Sequence, residues 1–373
     1  MAELFIGLMS GTSLDGVDGV LVQWPSATRV HVHAHRHRPF DDTLREELLA
    51  LNSAQDNELH RAALAGNAVA RTYAQVIADL LAEARLSPAD VRAVGAHGQT
   101  VRHRPQAVDG TGYTLQLLNP ALLAELGGID VIADLRSRDV ASGGQGAPLV
   151  PAFHRAMFGR ADATIGVLNL GGIANLTVLS PDGRTIGFDC GPSNALMDHW
   201  CRAHLGLPFD KDGAWAAGGT VVDRLFASMR AEPYFTLAPP KSTGRDLFHP
   251  AWLQHHLDAV DPRGTLPPRD IQATLAELTA VACAADAGLH AAQMAELIVC
   301  GGGAFNHHLM ARLAALLPAV RVVASGERSL PPDQVEACAF AWLAARFMQR
   351  EPGNLVSVTG ARGPRVLGAL YPR

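Results

Sequence analysis

The feature that most constrains the fold is an apolar hairpin that occurs twice. Leu4–Leu8 and Val17–Val22 are short apolar runs on either side of Ser10-Gly11-Thr12-Ser13-Leu14-Asp15-Gly16, a stretch dense in turn formers. This reads as strand, tight loop, strand. About 160 residues later, Thr164–Leu170 and Ile173–Leu179 flank Gly171-Gly172 in the same arrangement with a shorter loop. A third apolar run, Ala295–Cys300, enters Gly301-Gly302-Gly303, and Phe305–Leu317 then carries apolar residues at helical spacing. Asp56–Ala84 and Ile271–Ala292 are long Ala- and Leu-rich stretches with the same spacing and are expected to be helices packed on sheets.

Strands alternating with helices imply an α/β protein, and the repeated hairpin implies two similar lobes with a cleft between them. The 373 residues suffice for two or three domains. The stretch Ala133–Gly146 mixes charges with small turn residues and ends before Pro148 and Pro151, which fits a hinge or cleft-lining crossover between lobes and equally a plain surface loop. The expected division is a first lobe of residues 1–134 plus 353–373 and a second lobe of residues 135–352.

Apolar residues make up 48% and charged residues 18% of the chain, a globular balance rather than a disordered one. With 31 basic and 36 acidic residues the net charge is −5, so no overall field draws a phosphate backbone or an anionic leaflet. Nucleic-acid and membrane partners are not expected. The five cysteines form no CxxC pair, which argues against a disulfide framework or a zinc knuckle. The N-terminus lacks a basic region followed by a long apolar core, and the expected location is the cytoplasm.

Two patterns are discounted. His31, His33, His35 and His37 alternate along Arg29–Arg38 and would share one strand face, but an exposed polar face explains the period without a metal. The Lys-Ser pair in PPKSTG at Pro239–Gly244 lacks the preceding glycines of a phosphate-binding P-loop. Lys241 in that segment and Lys211 are the only lysines.

Glycine-turned hairpins let backbone N–H groups approach and surround a polyphosphate, which points to a nucleotide. Asp15 and Asp18 lie in or just after the first loop, where a carboxylate can hold magnesium through water. Asp15 serves equally well as the support of its Asp-Gly turn, and a structural role is favoured for Asp18. In Ile186–Asn194, Asp189 stands between glycines after an expected strand and before an expected helix at Ala195–Ala203. It is placed either to act as a general base or to cap that helix.

The words of the chain resemble 1,6-anhydro-N-acetylmuramic acid kinases, bacterial members of the actin, heat-shock ATPase and sugar-kinase superfamily. The similar stretches are FIGLMSGTSLDGVDGVLV at Phe5–Val22, GAHGQTVRHRP at Gly95–Pro105, ADLRSRDVASGGQGAPLVP at Ala133–Pro151 and LNLGGIANLTVL at Leu168–Leu179. GFDCGPSNALMD at Gly187–Asp198, PPKSTGRDLF at Pro239–Phe248 and CGGGAFN at Cys300–Asn306 complete a set that runs almost from end to end. Against the family pattern, Cys190 and Ser193 stand where Thr and Gly are expected, which leaves the conformation of that loop open.

The resemblance implies an actin-like ATPase fold with duplicated mixed sheets around a cleft. It implies that ATP and Mg2+ serve a coupled ring opening and phosphorylation that turns 1,6-anhydro-N-acetylmuramic acid into N-acetylmuramic acid 6-phosphate. The nucleotide would be held by Gly11, Thr12, Ser13, Leu14, Asp15, Gly16, Val17 and Asp18, by Gly171 and Gly172, and by Gly301, Gly302, Gly303 and Asn306. Asp15 is the expected magnesium residue, acting through water. Asp189 falls on the family's catalytic aspartate. It would activate water at the anomeric carbon while the γ-phosphoryl group captures the leaving 6-oxygen, so one indispensable carboxylate is expected rather than a pair.

Arg136 and Arg138 suit the anionic lactyl group, and His97, Gln99 and Glu336 either reach the sugar or stabilise their own turn or helix. The alternatives are another sugar kinase of the superfamily, in which Asp189 deprotonates an ordinary hydroxyl, and a nucleotide-gated, actin-like binding protein. A homodimer is left open.

Overall fold

Strand β1 (Leu4–Ser10) and strand β2 (Gly16–Ser26) form the first hairpin, and β3 (Arg29–Pro39) continues the antiparallel meander. The computed structural model describes every residue except Met1, Ala2, Thr12, Ala27, Gln55, Arg245, Asp246 and Ala292. After helices α1 (Asp42–Ala50) and α2 (Glu58–Ala84) the chain returns as β4 (Val91–Pro105), parallel to β1. Strand β5 (Gly112–Leu117), helix α3 (Pro120–Gly127) and strand β6 (Val131–Ala133) follow, then α4 (Ser137–Ala141) and α5 (Val150–Phe158).

The second unit repeats the scheme. Strands β7 (Thr164–Leu170), β8 (Ile173–Leu179) and β9 (Thr185–Pro192) form a second antiparallel meander. Helices α6 (Asn194–Leu205), α7 (Ala214–Ala217), α8 (Asp223–Arg230), α9 (Pro250–Val260) and α10 (Pro268–His290) precede β10 (Met294–Cys300), which lies parallel to β7. Helix α11 (His307–Leu316) leads to β11 (Arg321–Ala324). The chain then contributes α12 (Val335–Met348), α13 (Val356–Thr359) and β12 (Ala369–Tyr371) to the first unit.

The strand orders make the duplication explicit. The first sheet runs β12-β6-β4-β1-β2-β3, with β5 paired to β4, and the second runs β11-β10-β7-β8-β9. Each contains a three-stranded meander whose first strand is extended by two parallel strands. This is the α/β architecture with duplicated mixed sheets expected from the sequence. The compact units are Met1–Met157 with Gln334–Arg373, and Phe158–Asp333. Residues 135–157 and 334–352, expected in the second lobe, thus cluster with the first. For 334–352 the cause is α12, which lies directly on β1 and β4.

Two glycines make that docking possible. A Cβ at Gly7 would strike the carbonyl oxygen of Ala337, and one at Gly95 would strike that of Phe340. With no side chain at either place, the helix backbone settles onto the sheet and buries Ala337, Phe340, Ala341 and Ala344. The first core gathers Ile6, Leu8, Val69, Tyr73, Val76, Leu80 and Val94, so the apolar stripe of α2 covers the strands. The second gathers Leu168, Leu176, Phe188, Leu275, Leu278 and Leu297 between sheet and helices.

The histidine strand departs from expectation. The pairing of β3 with β2 shifts between Leu21/Ala34 and Val22/Val32, leaving His33 as an extra residue. The bulge breaks the period-two alternation, so the four histidines do not form one regular face. His35 and His37 approach Asp18, whereas His33 reaches Gln23. Among the described residues no group of three or more His, Cys, Asp or Glu is arranged to hold a metal ion.

Candidate active site

In the first unit, the loop between β1 and β2 is held from below by β4. Gln99 donates from Nε2 to the carbonyl of Gly11 at 3.0 Å, and the His97 ring nitrogen Nδ1 lies 3.1 Å from the carbonyl of Ser10. Ser10 Oγ donates to the Gly98 carbonyl and accepts from the Tyr73 hydroxyl. Within the loop, Leu14 N–H donates to the Gly11 carbonyl, and Ser13 Oγ donates to Asp15 Oδ1 at 2.7 Å. Leu14 and Val17 turn their side chains into the core, leaving only backbone for a ligand. Gly16, Val17 and Asp18 belong to β2. Thr12 lies outside the described residues.

The carboxylates of this unit differ in environment. Asp15 is exposed. Asp18 is half-buried and lies 3.5 Å from His35 Nε2 and 3.0 Å from His37 Nδ1. Burial alone would raise its pKa, but the two imidazoles outweigh it and hold the carboxyl below its ordinary value. Glu336, on the first turn of α12, shows the opposite result. Its pKa is pushed up to about 7 by burial and by the charge of Asp18, with Arg136 opposing the rise. A carboxyl so placed exists in both protonation states near neutrality.

Arg136 joins the parts. Its Nε donates to His97 Nε2 at 3.0 Å and its Nη1 to the Gly146 carbonyl at 2.8 Å, and its Nη2 makes no hydrogen bond among the described residues. Burial, with the adjacent Arg136 charge, holds His97 well below its ordinary pKa, so the ring is neutral. Arg138 is exposed on α4 and is not brought into this network. The loop carrying Gly146 is folded around Asp139, which the sequence reading did not single out. Its buried carboxylate accepts from Gly146 N–H, Asn354 Nδ2 and Thr359 Oγ1 at 2.7–2.8 Å.

In the second unit, Asp189 lies inside β9 rather than after a strand as expected, and it does not cap α6. Pairing with β8 shifts between Ala174/Gly191 and Asn175/Asp189, so Cys190 is a bulge residue beside the aspartate. Such bulges re-aim neighbouring side chains. Asp189 Oδ2 accepts from Thr243 N–H at 3.0 Å, and its backbone carbonyl accepts from the Tyr234 hydroxyl at 2.8 Å. Burial pushes its pKa up to about 6, against the opposing effects of Thr243 N–H and Lys241. Thr243 Oγ1 is buried and has no hydrogen-bond partner among the described residues.

The Gly171-Gly172 turn lies over the start of α6. Its carbonyls accept from the N–H groups of Ser193, Asn194 and Ala195. Ser193 has φ −135°, so the serine imposes no left-handed strain after Asp189; that conformation, φ +145°, falls on Gly191. Gly301 donates its N–H to the Pro332 carbonyl, and Gly302 and Gly303 belong to the short 3-10 turn Gly302–Phe305. Asn306 is the N-cap of α11, accepting from Leu309 N–H at 3.0 Å.

The sequence model of the family described as anhydro-N-acetylmuramic acid kinase matches residues 3–373. The chain belongs to the anhydro-N-acetylmuramic acid kinase family. It is accordingly a kinase. A protein of that description from Variovorax paradoxus is 60% identical, with 99% of each chain covered. One from Albidiferax ferrireducens is 57% identical over the whole of both chains. Among solved structures, the activator of 2-hydroxyisocaproyl-CoA dehydratase from Clostridium difficile, with bound ADPNP, is similar at a TM-score of 0.48 and 12% identity, covering 94% of this chain and 99% of that one. Within PPKSTGRDLF, Thr243 N–H and the Lys241 carbonyl contact Asp189, contacts that the sequence did not reveal; the one available signal was a lysine in a chain with only two.

Proposed function

We propose that this anhydro-N-acetylmuramic acid kinase family member acts in the cytoplasm, using ATP and water to convert 1,6-anhydro-N-acetylmuramic acid into N-acetylmuramic acid 6-phosphate and ADP. The observation that carries the assignment of the base is Asp189, a half-buried carboxyl poised near pH 6 and oriented by Thr243 N–H. A base with that pKa is largely ionised at neutral pH yet still accepts a proton.

Asp189 takes a proton from water as the oxygen of that water bonds to the anomeric carbon. The bond from that carbon to the 6-oxygen breaks, and the 6-oxygen bonds to the γ-phosphorus as ADP leaves. No second carboxylic acid is needed, because phosphorus captures the leaving oxygen in place of a proton. Arg136 presents its free Nη2 edge to the lactyl carboxylate. His97 has both ring nitrogens engaged and orients Arg136, while Gln99 fixes the loop carbonyl of Gly11.

The first loop, Gly171-Gly172, and Gly301–Gly303 with Asn306 are assigned to the nucleotide. The donor set fits magnesium carried with the nucleotide: Asp15 is exposed, and Ser13 engages only its Oδ1. Asp15 would hold the ion through water, and the ion would neutralise phosphate charge.

ADP release by the purified protein with Mg-ATP and either the anhydro sugar or N-acetylmuramic acid tests this reading, with the product identified by mass. The expected result is sugar-dependent turnover giving a 6-phosphate that has gained the elements of water, lost in Asp189→Asn. Phosphorylation of the open sugar alone would replace this reading with that of an ordinary sugar kinase.

A further inference from the structure

Lys241 and Asp286 form an ion pair that the proposed chemistry does not use. The ammonium lies 3.0 Å from both Asp286 carboxylate oxygens, and the side chains are 2% and 9% exposed. It also sits 5.3 Å from the ring centre of Tyr234 and 5.6 Å from that of Phe188. Burying two charges is costly, and an apolar pair of similar volume is often as stable, so stability alone does not explain the pair.

Its neighbours do. Asp189 N–H donates to the carbonyl of Lys241 at 3.2 Å, Thr243 N–H donates to the Asp189 carboxylate, and Tyr234 donates to the Asp189 carbonyl. Asp286 lies on α10, which also ties down the end of β9 where Thr279 Oγ1 donates to the Pro192 carbonyl. Every one of these anchors on Asp189 is therefore Lys241 itself, two residues along from it, or a ring against its ammonium.

We propose that the buried Lys241–Asp286 pair is a positioning device for Asp189: it pins residues 241–243 to α10 and so fixes the backbone and carboxylate of the base. This deepens the reading of Asp189 as base and rests on it. Lys241 is thus a positioning residue, and its charge favours the ionised aspartate. The other titratable groups packed here are Cys190, Cys283, Tyr234 and His290. The Cys283 contact and burial hold Cys190 as a neutral thiol, and burial does the same for the Tyr234 hydroxyl, so neither competes for the proton near neutral pH.

The test uses the full chain with three variants: Lys241→Met/Asp286→Leu, Lys241→Arg and Asp286→Asn. The double variant is expected to fold and to lose about tenfold or more in kcat, with KM for ATP within about twofold. The acidic limb of its kcat profile should move to higher pH, making the loss larger at pH 6 than at pH 8. Lys241→Arg should restore part of kcat and return the limb toward its original place. Asp286→Asn, which keeps the positive charge but loosens its hold, should lower kcat without raising the limb, and it serves where the double variant fails to fold.

An independent readout is the 13C titration of the Asp189 carboxyl, assigned by its loss in Asp189→Asn; its midpoint should rise in the double variant. An unmoved midpoint together with kcat within about twofold of the parent, in either folded variant, would overturn the proposal. Turnover that survives Asp189→Asn would instead sink the reading of Asp189 as base, while the carboxyl titration would still report whether the pair governs that aspartate.

Discussion

His97 and Arg136 are joined nitrogen to nitrogen: Arg136 Nε donates to His97 Nε2 at 3.0 Å, while His97 Nδ1–H donates to the Ser10 carbonyl. Both ring nitrogens are spent, so this histidine has no free proton to exchange with a substrate. It acts as a rigid spacer between the end of β1 and the guanidinium, its ring centre 4.7 Å from that of Phe340 on α12 and tilted against it. The loop expected to meet phosphate and the arginine expected to meet the sugar are thereby parts of one hydrogen-bonded assembly.

Arg136→Lys is therefore not a conservative change. A lysine reaches His97 or the Gly146 carbonyl but not both, and leaves no second donor edge for a carboxylate. The expected result is a rise of about tenfold in KM for the anhydro sugar with KM for ATP little changed, measured by initial rates. Equal increases in both constants would show that Arg136 supports the fold rather than the sugar.

The docking of α12 gives a prediction free of any assumption about chemistry. Gly7→Ala places a methyl group against the Ala337 carbonyl and should destabilise the protein by about 1–3 kcal/mol in denaturant unfolding. Gly288→Ala is the contrasting control. It lies exposed in α10 with nothing near its added Cβ and no left-handed φ, and should stabilise by about 0.5–1 kcal/mol.

These cases separate what the chain declares from what it conceals. Both hairpins and the glycine loop after β10 are legible because apolar runs and turn formers are local signals. The role of Gly7 and Gly95 is not, since their partner helix lies more than 200 residues away and nothing local distinguishes them from other strand glycines. Glycines and Pro192 around Asp189 read as strand breakers, yet β9 is an edge strand, where proline and a bulge are tolerated. Lys241 conceals its meaning for a further reason: its ion-pair partner is 45 residues away on α10.

Asp139→Asn tests the loop beneath Arg136. All three partners of the carboxylate are donors, so an amide nitrogen in place of one oxygen meets a donor and leaves it unpaired. A loss on the order of 2 kcal/mol is expected in unfolding experiments. Because Gly146 also supplies the carbonyl that holds Arg136, KM for the sugar should rise with it. Wild-type KM in a destabilised variant would separate the loop from Arg136.

Asp189→Asn links activity to stability in opposite directions. Unfolded, this carboxyl ionises near its ordinary 3.8; folded, near 6, because burial disfavours the charge. Between those values the folded chain holds more protons than the unfolded one, so stability falls as pH rises, and the full cost is present above about pH 6. An asparagine keeps an acceptor for Thr243 N–H and carries no charge to bury. The variant should therefore lose turnover yet exceed the parent in stability by on the order of 1–3 kcal/mol at pH 8. The difference should shrink as pH falls from 6 toward 4, where the parent aspartate is itself neutral in the folded state. Parallel thermal melts of parent and variant across that range measure it. A constant difference at every pH would mean that burial does not raise the pKa of Asp189 in the folded chain.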